Sequence, residues 1–83
     1  MSQLAGYVDR MAVRVADLER EIGGLDGHRK RDLEAGLAAL KERLIGLRRA
    51  GADLSEEMTQ SFTQAFERLR VAVGEARSEL ARA

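Results

Sequence analysis

Cysteine, proline and tryptophan are absent from this chain, histidine occurs once, and 14 Lys and Arg balance 14 Asp and Glu across 83 residues. Without cysteine there is no disulfide to stabilise a small fold and no thiolate to bind a metal or act as a nucleophile. A single histidine, His28, has no H-x-x-x-H, H-E-x-x-H or E-x-x-H company, so it reads as a turn residue rather than a ligand or base. With no net charge, no overall field draws the chain to nucleic acid or to an anionic membrane. No run approaches the roughly 18 apolar residues that a membrane span needs. The stretch from Met1 to Ile22 is broken by Asp9, Arg10, Arg14, Asp17 and Glu19, which does not read as a signal peptide. No cofactor and no metal is expected, an enzyme is not expected, and the cytoplasm is the expected location.

What remains is rich in helix formers. Proline, the strongest helix breaker, is missing, and Ala, Leu, Arg and Glu dominate. The clearest stretch is Leu33, Leu37, Leu40, Leu44 and Leu47, five leucines at steps of 4, 3, 4 and 3 that share one stripe of an α-helix. Burying a leucine is worth roughly 1.5–3 kcal/mol relative to leaving it in water, so this stripe demands a partner. Two further stripes supply one. Leu4, Val8, Met11, Val15, Leu18 and Ile22 form a strict heptad seam before it. Phe62, Phe66, Leu69, Val73, Ala76 and Leu80 form another after it, with Met58 extending that seam upstream.

The breaks between stripes set the helix limits. Gly23, Gly24 and Gly27 would each cost about 1 kcal/mol inside a helix, and Asp26 is a candidate cap for the second helix. Arg29, Lys30 and Arg31 then fall in a first turn, where the helix dipole disfavours cations. A helix continuous through this region avoids that conflict, with Ile22, Leu25, Arg29 and Leu33 carrying the stripe through a stutter. The summed glycine cost favours the turn. The second break is better marked: Arg48 and Arg49 precede Gly51, and Asp53 with Glu56 makes a D-x-x-E capping pattern, Ser55 being the alternative cap. Ser2 is the candidate cap of the first helix.

The expected fold is all-α: one helical domain over 1–83 with helices at about 2–22, 27–50 and 54–82, folded as an antiparallel up-down-up three-helix bundle. The start of the third helix should lie beside the start of the first and the end of the second. The alternative is a long hairpin in which the first two segments fuse, leaving a bare seam that dimerises as a coiled coil or four-helix bundle.

The functional expectation is a non-enzymatic protein–protein interaction or oligomerisation module, small and soluble, whose helices bind a second copy or another protein. One local anomaly supports a different class. Residues 26–50 carry 7 basic and 4 acidic side chains, and Arg29, Lys30 and Arg31 cluster at one end, as a patch for an anion, a nucleic acid or a docking partner would. Charge complementarity with neighbouring helices explains the same excess, and the interleaved aromatics of a single-strand binder are missing. Nucleic acid is therefore not the expected partner. An amphipathic lipid-surface binder is a third reading; the mixed charge of the polar faces opposes it, so a membrane partner is not expected either.

Overall fold

The computed structural model describes residues 6–82 as three α-helices in up-down-up order. Helix α1 is Tyr7–Gly23, α2 is His28–Ala50 and α3 is Glu56–Arg82, with a single 3₁₀ turn at Gly51–Asp53 between the last two. The expected positions Ser2 and Leu4 lie outside the described residues. Cross-helix contacts fix the directions. Arg29 at the start of α2 binds Glu79 near the end of α3, and Lys41 of α2 binds Glu19 of α1. Tyr7 at the start of α1 meets Thr59 and Thr63 at the start of α3. The result is a rod of 48 × 18 × 18 Å.

The three stripes meet along its axis. Met11, Val15, Leu18 and Ile22 from α1, Leu33, Leu37, Leu40 and Leu47 from α2, and Phe62, Phe66, Val73 and Ala76 from α3 are buried in one cluster. Val8, Leu44 and Leu69 are half-buried and pack against it. Phe62, Ile22 and Val73 are the largest fully enclosed side chains, each no more than 2% exposed.

Leu80 departs from its expected place on the α3 seam, being 46% exposed. The cause is helix length. Tyr7 pairs with Thr63 and Glu21 with Arg77, a constant offset along two parallel helices, so Leu80 is level with Gly24, just beyond the end of α1. No helical turn remains there to cover it. Ile45, beside the leucine stripe in sequence, is also 46% exposed, because it lies on the far edge of α2 from the seam.

Both connections are glycine turns, built differently from expectation. The first breaks the helix after Gly23, and Leu25, 4% exposed, folds back into the core to plug the end of the bundle. Gly27, not Asp26, is the cap residue of α2, and no side chain caps that terminus. Its backbone, at φ 99° and ψ −179°, is open to glycine and strained for any L side chain. The dipole conflict at Arg29–Arg31 therefore stands locally, and tertiary contacts relieve it: Arg29 Nη1 lies 2.6 Å from Glu79 Oε1, and Lys30 Nζ donates to the Gly23 carbonyl at 3.4 Å. At the second connection Gly51 takes a positive φ of 51°. Asp53 is consumed in the 3₁₀ turn, and Ser55 Oγ caps α3 by accepting from the Met58 N–H at 3.2 Å. Glu56 and Glu57 follow in the first turn, where their charge suits the dipole.

Candidate functional site

Helix α2 has a different edge towards each neighbour. Towards α1 it carries Lys30, Lys41 and Arg48, which reach the Gly23 carbonyl, Glu19 and Asp9. Towards α3 it carries Gly36, Ala39, Arg43 and Gly46, spaced so that three small residues and one arginine share the edge. The facing edge of α3 is built alike, with Ala65, Ala72 and Arg68 around the half-buried Leu69. Small side chains cannot bridge the shoulder between two helices. Two open depressions therefore lie in line along the α2–α3 seam, about 550 Å³ beside Gly36 and about 440 Å³ beside Gly46, with Arg43 on the rim of both; together they form an interrupted groove.

The floor of the groove is apolar. Leu33, Leu40 and Leu69 underlie its first part, and Leu47, Met58 and Phe62 its second. Gly36 makes this geometry possible, since a Cβ built there would lie 3.0 Å from Leu69 Cδ1. The rim is charged. Arg29 closes one end and is bound to Glu79; the hydrogen bond to Glu79, its charge, and the carboxylates of Glu75 and Asp32 raise the guanidinium pKa above its ordinary value. Arg43 stands at the middle, with one long contact of 3.5 Å to Ser61 Oγ. Arg68 faces it from α3 and forms no ion pair with any described residue.

The α1–α3 side makes a useful contrast. Its depression of about 430 Å³ is rimmed by Arg14, Asp17, Glu21, Glu67 and Arg70, and only Leu18 and Phe66 show at its base. Arg70 is bound to Glu67 at 2.7 Å, and that hydrogen bond and charge raise its pKa too. Tyr7 closes the same side, donating to the Thr59 carbonyl at 2.8 Å and meeting Thr63 Oγ1.

The expected basic patch is not brought together. Helix geometry sends three consecutive residues in three directions. Arg29 turns to α3, Lys30 to the α1 connection, and Arg31 to solvent. The seam residues lie along the core, apart from Leu80 and the half-buried Val8, Leu44 and Leu69. His28 is exposed at the start of α2, and no group of three or more acidic or histidine side chains is placed to hold a metal among the described residues. Among them, too, no helix is long and apolar enough to cross a membrane.

Sequence reasoning passed over the groove. Its signal was present as small residues at 36, 39 and 46 on α2 and at 65 and 72 on α3, off the seam yet not polar. Thr59 was missed as well; it is 7% exposed, its hydroxyl bonded to the Glu56 carbonyl. Comparison with protein-family models, with curated proteins and with solved structures gives no match for this chain.

Proposed function

We propose that this protein is a non-enzymatic interaction module that binds another protein along the outer face of its helical bundle. The observation that carries the reading is the α2–α3 groove, an apolar floor left open by Gly36, Ala39, Ala65 and Ala72. The three seams bury one another within one chain, so the fold does not need a second copy to cover a bare stripe. Association then falls to the outer surface, and this groove offers an apolar floor beneath a charged rim, the anatomy common to protein interfaces. The second expectation, binding of nucleic acid or another anion through Arg29, Lys30 and Arg31, loses support from their divergence and from the engagement of Arg29 by Glu79.

The test is site-resolved cross-linking in cells that make the protein naturally. A benzoylphenylalanine at Ala39 reports on the groove, and one at Val13, 62% exposed on the outer side of α1, is the control. The reading requires adducts to a second polypeptide from Ala39 that are absent from Val13 and are lost when Ala72→Glu obstructs the groove. No adduct from Ala39, or equal adducts from both positions, overturns it. Circular dichroism of each variant verifies that the bundle is intact.

A further inference from the structure

The partner's chemistry can be taken a step beyond that reading, on which this inference rests. The groove follows two antiparallel helices and spans Arg29 to Gly46 on α2, roughly 26 Å at 1.5 Å per residue. Two apolar depressions in line over that length suit a helix of about 17 residues lying along them, the helix-in-groove mode of recognition. The groove's glycine and alanine shoulders admit a backbone at close range, which broad side chains would prevent.

Charge then constrains the helix. Gly36 lies against Leu69, so on this antiparallel pair Arg43 is level with Phe62. Arg68, on the opposite wall, stands six residues further along, roughly 9 Å away on the axis. Both ends of the trough are acidic or neutralised: Glu57 sits at one, and Arg29 with Glu79, Glu75 and Asp32 at the other. The excess positive charge therefore sits between the levels of residues 37 and 43 of α2, one guanidinium on each wall.

We infer that the groove binds an amphipathic helix of another protein that presents a small-residue apolar face flanked by carboxylates, one paired with Arg43 and one with Arg68. A second copy of this chain does not meet the requirement. Its groove carries arginines where carboxylates are required, and pairing two such grooves about a twofold axis along the helices sets Arg43 and Arg68 level with their own copies, where like charges repel.

Two synthetic 18-residue helical peptides test this against the full chain. Both carry an Ala/Leu face; one has glutamate on both flanks of that face and the other has lysine. Binding is followed by fluorescence anisotropy, and its location by amide chemical shifts of the labelled protein. The glutamate peptide is expected to bind at least tenfold more tightly than its lysine twin and to shift Gly36, Ala39, Ala65 and Ala72. Arg43→Glu with Arg68→Glu is expected to invert the preference, an outcome that general destabilisation cannot produce. Equal affinity for both peptides, shifts confined to other faces, no binding of either, or an unaltered preference in the double variant overturns the inference. So does a groove-mediated dimer in sedimentation equilibrium. Failure here with groove-specific adducts from Ala39 in cells would leave the interaction module standing and remove only the acidic helix; absence of those adducts would remove the module itself.

Discussion

The two edges of α2 are solved in opposite ways. Towards α1, Lys41 and Arg48 reach carboxylates on the neighbouring helix and roof the seam with long side chains. Towards α3, Gly36, Ala39 and Gly46 reach nothing, and the seam stays open to solvent. The difference is not one of stability. Exposed ion pairs contribute about 0–1 kcal/mol each, and the buried leucines beneath both edges hold the helices together. What differs is access: one edge is screened and the other offers its apolar floor. Gly36 is kept small by Leu69, but at Gly46, where a Cβ meets nothing, a helix that only had to fold would gain from a polar, well-forming residue, since glycine costs about 1 kcal/mol relative to alanine. The presence of both glycines on one edge alone is the asymmetry that the proposed function uses.

Four substitutions test the difference between the two edges. The largest effect comes from removing what both edges share. Phe62→Ala empties the most enclosed aromatic site of the core and is expected to destabilise the bundle by about 3–5 kcal/mol in urea denaturation. In so small a domain that removes most of its stability, and both edges are lost together. Gly36→Leu acts on the open edge only. Since even a Cβ there crowds Leu69 Cδ1 at 3.0 Å, the larger side chain must push α3 aside, at a cost of about 1–3 kcal/mol in thermal melts.

Tyr7→Phe acts on the α1–α3 side, away from both edges of α2. It removes the hydroxyl that ties the start of α1 to the Thr59 carbonyl and Thr63, and should cost about 0.5–1.5 kcal/mol. Hydrogen exchange should localise the loss to the first turns of α1 and leave α2 protected. Gly46→Ala is the smallest and has the opposite sign. A Cβ at 46 meets nothing within 4 Å, so helix propensity decides, and a gain of up to about 1 kcal/mol is expected by chemical denaturation. Gly36 and Gly46 are both glycines of one helix, so a stabilising Gly36→Leu or a destabilising Gly46→Ala would contradict the difference drawn between them.

How much of this could be read beforehand depends on the distance over which each decision is made. The stripes were legible because a period near 3.6 commits each residue to the core or to water without reference to any other helix. The break at Gly23–Gly27 was legible for a similar reason, its glycine cost being local. The caps were not. Asp26 and Asp53 both have the right chemistry for the role, yet Gly27 and Ser55 hold the cap positions, because the path of each turn is set by where Leu25 and the next helix must go. Leu80 satisfied the period and still lies exposed, since the length of α1, a different segment, decides whether anything covers it.

The basic cluster shows the same limit from the functional side. Adjacent in sequence, Arg29, Lys30 and Arg31 suggested one patch; a helix turns each by about 100°, and their neighbours separate them. The groove is the converse case, for Gly36 and Leu69 are distant in sequence and meet only in the fold.

Sequence alone established amphipathic helices, favoured a glycine turn over a continuous helix at Gly23–Gly27, and marked the stripe of each helix that would be buried, Leu80 excepted. Those are one-dimensional properties, fixed by periodicity and by backbone freedom. Which edge of α2 met α1 and which met α3 was settled by how the three helices packed. A three-helix bundle can wind in either hand around the same stripes, and in the other hand Lys41 and Arg48 would face α3 while Gly36 and Ala39 faced α1. The hand observed brings the small edge of α2 against the small edge of α3, and so opens the groove between them.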